Sequence, residues 1–361
     1  MNDRERFLNN MHFKSTDRIP YYPVPIGIWR QTLNRWYGEG LSQNIDINEL
    51  FGCDAMLQMD IYFGFCPVFD TILIEEDEET KTYINFEGIK MREFKKNAEL
   101  SMPQFLDFPV KNRNDFIKLI PRLQLNSEER FPTDWKDKCR MWKHRKIPLE
   151  MNADRQGGFF GPLRNLMGLE NLLFSYYDDP GLVEMMIENR VELMISILGK
   201  IFKDTDMDWF VFWEDMAFNH GPLLSPELFK KHMVPAYRKV TDFLRKNGVD
   251  IIFVDCDGNI DKLIPLWLEA GVNGIYPLEV QSGMDVVKLR KEYKNELLMI
   301  GGVDKRVLAG SINDIKNEIK RVASIFDCGG YIPGLDHSVP PNVPLENFIY
   351  YMETMAEAIG V

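Results

Sequence analysis

The sequence predicts an α/β protein: a (β/α)8 barrel of the TIM type, with a β-hairpin or meander and extra helices inserted between its second and third strands. Three observations carry this. Short β-branched and aromatic runs alternate with amphipathic helical stretches from residue 147 onward, the pattern of βαβ units on a parallel sheet. Counted from Ile19, the runs number eight, near residues 21, 56, 149, 211, 252, 275, 298 and 332, and eight suit a closed barrel. No Gly-x-Gly-x-x-Gly follows the first run, which disfavours a doubly wound open sheet.

The elements follow in order. Residues 3–11 read as a short helix, and Asp17-Arg18-Ile19-Pro20 leads into an extended run over 21–26. A helix is expected around 29–36 and a second strand over 55–61, with Asp60 and Tyr62 at its end. Residues 68–96 alternate with period two around an acidic turn at 75–79, which predicts the antiparallel insertion. The charged stretch 111–145 has helical spacing. Strands at 147–152, 209–213, 251–254, 274–277, 297–300 and 331–335 then alternate with helices near 162–169, 180–203, 226–246, 260–270 and 284–293, helices through 326 after Gly301-Gly302, and a closing helix at 345–359. Pro180 opens one of these helices, and Ser225-Pro226 caps and opens another. With no low-complexity linker or short-period repeat, residues 1–361 are expected to form one domain.

Composition narrows the function classes. The 45% hydrophobic and 12% aromatic content supports a sizeable core. A net charge of −12 argues against a general nucleic-acid surface or an anionic-membrane binder. Five scattered cysteines suggest reduced thiols rather than a disulfide framework. The N-terminus lacks the apolar core of a signal peptide, and no stretch approaches about 20 apolar residues. A cytoplasmic protein acting on a small molecule is expected, with a homodimer among the assemblies this allows.

In a barrel, residues just past the C-terminal strand ends face the catalytic mouth. The reading places there Asp60, Tyr62, Asn152, Arg155, Glu214, Asp215, Asp255-Cys256-Asp257, Glu279, Asp304 and Asp336-His337. Cys256 can be a buried core thiol or a thiolate metal ligand, since open zinc sites combine Cys, His and carboxylate. His337 can cap its loop, bind a metal or bind a substrate carboxylate.

At these residues the chain resembles the uroporphyrinogen decarboxylase superfamily, which includes cobamide-dependent methyltransferases. The matching stretches are Lys14-Ser15-Thr16-Asp17-Arg18-Ile19-Pro20, Glu214-Asp215-Met216, Gly221-Pro222-Leu223-Leu224-Ser225-Pro226-Glu227 and Asp257-Gly258-Asn259. Further matches are 271–279, Gly301-Gly302-Val303-Asp304-Lys305-Arg306 and Pro340-Pro341-Asn342-Val343-Pro344.

The resemblance implies alternative chemistries. Decarboxylases of the family grip tetrapyrrole carboxylates through arginines of an Arg-Gln-Ala-Gly-Arg segment. Here Arg30 and Arg35 match in type, the Ala-Gly turn is absent, and Asp60 would assist protonation. The methyltransferases bind zinc through a His-x-Cys at the fifth strand and a second Cys after the eighth. Aligned by motif, Val254 replaces the histidine, Cys256 matches, and His337 stands at the second cysteine. This implies zinc on Cys256, His337 and Glu214, with Glu279 as the alternative carboxylate. Glu214, Asp60 and Asp257 are the catalytic candidates, and Arg30, Tyr62, Asn152, Asp215 and Glu279 the substrate-binding ones. The expected activity is zinc-assisted methyl transfer between a small substrate and a cobamide carried by a partner corrinoid protein. Decarboxylation of uroporphyrinogen or a smaller carboxylate is the alternative, and a non-catalytic corrinoid-binding barrel is a third.

Overall fold

The computed structural model describes residues 1–96, 102–125 and 128–361. In chain order its strands are β1 (Leu57–Gln58), β2 (Ile72–Glu76), β3 (Thr80–Ile84), β4 (Lys90–Phe94), β5 (Gln104–Asp107), β6 (Leu149–Asn152) and β7 (Trp209–Trp213). There follow β8 (Ala217–Phe218), β9 (Gly221–Pro222), β10 (Ile251–Asp255), β11 (Gly274–Tyr276), β12 (Leu298–Val303) and β13 (Tyr331–Leu335). Seven of them form one all-parallel sheet in the order β1-β6-β7-β10-β11-β12-β13, with helices between successive strands. The insertion between β1 and β6 carries the antiparallel meander β2-β3-β4-β5 and the helices Arg113–Leu119 and Trp135–Trp142.

The first expected strand differs from the reading in an instructive way. Residues 21–26 form no ladder, yet they sit in the eighth place of the barrel. The Leu335 N–H donates to the Pro23 carbonyl at 2.9 Å, the Asp54 N–H donates to the Tyr21 carbonyl at 3.1 Å, and Ile28 bridges Val339 in parallel. Pro20, Pro23 and Pro25 lack N–H groups, so the segment accepts bonds from both neighbours but cannot donate a regular set. β1 is correspondingly shorter than the expected 55–61.

Pleating sorts side chains into two layers. Trp209, Val211, Ile251, Phe253, Tyr276, Leu298, Ile300 and Ile332 point into the barrel, where Phe7 and Met11 of the helix Asp3–Met11 pack against them. Phe210, Phe212, Ile252, Val254, Cys256 and Ile275 point outward, into a larger core shared with the helices. Each such apolar side chain fully removed from water contributes roughly 1.5–3 kcal/mol. The insertion is tied on by Arg130, 1% exposed, which donates to the carbonyls of Tyr62, Gly64, Arg122 and Gln124.

Candidate active site at the barrel mouth

Which layer a residue belongs to decides which candidates meet. In β10, Ile251, Phe253 and Asp255 are the inward positions, and the next residue on that side is Asp257. Val254 and Cys256 do share a face, as alternation requires, but it is the helix-facing one. The Cys256 Sγ accepts the Met216 N–H at 3.3 Å, and burial pushes its thiol well above the usual range. That environment disfavours a thiolate ligand.

Glu214 is likewise turned away from the mouth. It is fully buried, and its carboxylate accepts the N–H groups of Phe159 (2.8 Å), Phe160 (2.6 Å) and Gly161 (3.1 Å) and the Tyr237 hydroxyl. Phe160 begins the helix Phe160–Met167, so Glu214 satisfies orphan donors at a helix N-terminus. Gly158 permits this approach: a Cβ there would lie 1.9 Å from the Trp213 carbonyl. Burial raises the Glu214 pKa, against the lowering effect of these bonds. The expected zinc set Cys256, His337 and Glu214 is therefore not assembled, because strand pleating sends two of its members into the helix layer.

A different set converges. One ligand atom each from Asp257, Glu279 and His337 lie within 4.8 Å of one another. His337 Nε2 is 3.4 Å from Asp257 Oδ2, and this bond raises the imidazole pKa. His337 Nδ1 accepts the Ser338 N–H at 2.7 Å, which leaves the hydrogen of a neutral ring on Nε2. Glu279 Oε2 accepts the Gly258 N–H at 3.0 Å, and Gln281 donates to Oε1 at 3.0 Å. Gly258 turns the chain at φ +85°, where a Cβ would lie 2.6 Å from the Ala217 carbonyl.

The sequence reading overlooked three groups here. Lys305 Nζ, buried, lies 3.6 Å from Glu279 and 3.7 Å from Asp336. The Tyr276 hydroxyl is 3.4 Å from the Asn152 amide and bonds Asp255. Burial, reinforced by Asp257 and Asp215, holds the Asp255 pKa well above the usual carboxylate range. Glu150, inward on β6 and bonded to Asn152, is the third. Its signal was legible: in Leu149-Glu150-Met151-Asn152 the polar residues alternate with the apolar ones, so they share the inner face.

The remaining candidates scatter. Asn152 lies inside the barrel beside Tyr276. Asp215 pairs with Arg164 at 3.0 Å, just past β7. Asp60 is exposed beyond β1, and Arg30 is exposed at the start of the helix Arg30–Gly38. Tyr62 lines a separate cleft of about 650 Å³ with Trp29, Arg155 and the meander residues Phe86 and Met91. Among the described residues, no helix is long and apolar enough to cross a membrane.

Two oxygen donors and one nitrogen donor suit a divalent cation of harder character than a thiolate site would select. Binding at Nε2 would shift the imidazole hydrogen to Nδ1, so the Ser338 N–H would have to yield.

Comparison with known proteins gives a consistent frame. A family model described as uroporphyrinogen decarboxylase (URO-D) matches residues 157–358. A uroporphyrinogen decarboxylase of Legionella pneumophila (strain Lens) is 26% identical over 138 residues, 38% of this chain and 38% of that protein. One from Chlorobaculum parvum is 31% identical over 78 residues, 20% of this chain and 22% of that protein. The matched stretches thus span well under half of these curated relatives. Among solved structures, a methyltransferase from Methanosarcina mazei superposes with TM-score 0.63 at 13% identity, covering 99% of both chains. That similarity extends the fold assignment over the whole length.

Proposed function

The chain belongs to the uroporphyrinogen decarboxylase family, and within that enzymatic family we propose that it is a methyltransferase passing a methyl group from a small O- or N-methyl compound to a cobamide held by a partner protein. One observation carries this reading: Asp257, Glu279 and His337 converge at the mouth while Cys256 faces the helices. The matching thiol Cys256 is turned to the helices, and the oxygen and nitrogen donors left at the mouth suit polarisation of a methyl donor's heteroatom. A divalent cation such as zinc held by these three residues would supply Lewis acidity to the heteroatom that loses its methyl group. Lys305 offsets part of the negative charge at Glu279 and Asp336. Tyr276 and Asn152 offer a hydroxyl and an amide to orient the donor from inside the barrel. The full-length likeness in fold to the Methanosarcina mazei methyltransferase agrees in kind.

Decarboxylation of a tetrapyrrole is less well supported. Of the two matching arginines, Arg35 is already tied to Glu39 at 2.6 Å and to the Pro341 carbonyl at 3.1 Å, and the carboxylates Asp257 and Glu279 at the mouth would repel a substrate with many carboxylates.

The test is spectroscopic. Reduced cobalamin is mixed with the protein and a panel of methyl ethers and methylamines, and conversion to methylcobalamin is followed by absorbance. Conversion with one donor class, falling at least about 100-fold in His337→Ala, is expected. Stepwise loss of carboxyl groups from uroporphyrinogen, with no methylcobalamin from any donor, would replace this reading with the decarboxylase one.

A further inference from the structure

The barrel interior is packed on one side and hollow on the other. Trp209, Val211, Phe253, Ile300 and Ile332 fill the side near β7 to β13. Facing the proline-broken segment 21–26, a chamber of about 620 Å³ opens through the wall beside β1. TIM barrels ordinarily fill this space with layers of apolar side chains. Here Glu150 occupies an inward position where such a side chain would stand.

The chamber is acidic, and its acids are not equivalent. Asp54 is held by Arg6 and Arg18, and Asp46 accepts the N–H groups of Asn48 and Glu49. Glu49 is exposed at the outer edge. Of the acids that line the chamber, Glu150 is the one inside the barrel, bonded to the neutral Asn152 amide, and Tyr276 and Asp255 close the polar row beyond it. None of the described residues lining the chamber is Lys, Arg or His. Burial pushes the Glu150 carboxyl up to about 7, as expected of a group lacking a cation. Tyr22, Trp209 and Tyr276 contribute rings to the same walls.

We propose that this side chamber binds a small organic ammonium ion, seated against Glu150 among the rings of Tyr22, Trp209 and Tyr276. The volume is that of a small-molecule pocket rather than of a metal ion, and Glu150, the one inward carboxylate in its lining, matches one positive charge. Aromatic faces favour an alkylated ammonium over a hydrated inorganic cation. None of Asp257, Glu279 and His337 lines the chamber, which meets the proposed methyl-transfer site only at Asn152 and Tyr276, so binding can be read without cobamide and apart from methyl transfer.

The experiment is calorimetric titration of the full chain, without cobamide, with choline and with its neutral isostere 3,3-dimethyl-1-butanol. Choline should bind at least about tenfold more tightly than the alcohol. Glu150→Gln, which keeps the side-chain shape, should remove that preference while circular dichroism remains unchanged. Should that variant fail to fold, Tyr22→Leu at the outer wall should weaken choline by about threefold to tenfold. Equal affinity for both compounds, binding of neither, or a preference that survives both substitutions would overturn the proposal.

Discussion

Glu214 and Cys256 show how far a strand-end rule reaches at the scale of single residues. Both lie just past a strand, both can ligate metal, and both face the helices. Glu214 instead organises the start of the helix Phe160–Met167. Glu214→Ala would leave three backbone N–H groups and the Tyr237 hydroxyl without an acceptor, so it should lower unfolding free energy by about 3 kcal/mol or more in urea denaturation. Cys256→Ala removes a small buried side chain with one weak N–H contact, and a loss of about 1 kcal/mol is expected in the same assay. The shared face of residues 254 and 256 was legible from alternation alone. Which side of the sheet that face met was not, because Ile252, Val254 and Cys256 are as apolar as Ile251 and Phe253. Both faces of a barrel strand are buried, so hydrophobicity carries no sign.

At the scale of elements, the parallel strands and the meander were readable because their periodicities differ, and the fold class follows from them. The first strand was misjudged for a specific reason: Tyr21 to Ile26 is extended, but its prolines remove the donors of a ladder. Pro23 and Pro25 of this segment line the chamber that holds Glu150. Arg130 could not be recognised in advance, since nothing in its local sequence marks a guanidinium that binds four carbonyls 6–68 residues away. Arg130→Ala should cost roughly 3–5 kcal/mol and release the insertion first, visible as hydrogen exchange rising at 62–66 and 120–125 before the rest of the sheet.

For the whole molecule, charge inside the barrel links function to pH. The Glu150 pKa rises from its ordinary 4.5 to about 7 on folding. Between these values the folded chain keeps a proton that the unfolded chain has released, so stability falls as pH rises through that window. Above about pH 7 the penalty is fully present, and near pH 4.5 it vanishes. Glu150→Gln should therefore raise the ligand-free Tm at pH 8 and leave it nearly unchanged at pH 4.5, with a gain of at most about 3 kcal/mol.

The acidic mouth was visible in the sequence as a list of strand ends. Its working subset emerges only when inward positions are separated from outward ones, which selects Asp257, Glu279 and His337. Elemental analysis of metal per chain tests that selection most directly. Wild-type protein and Cys256→Ala should carry the same amount, close to one divalent cation each, and Asp257→Asn and His337→Ala should carry almost none. Loss of metal in Cys256→Ala with retention in Asp257→Asn would contradict the account.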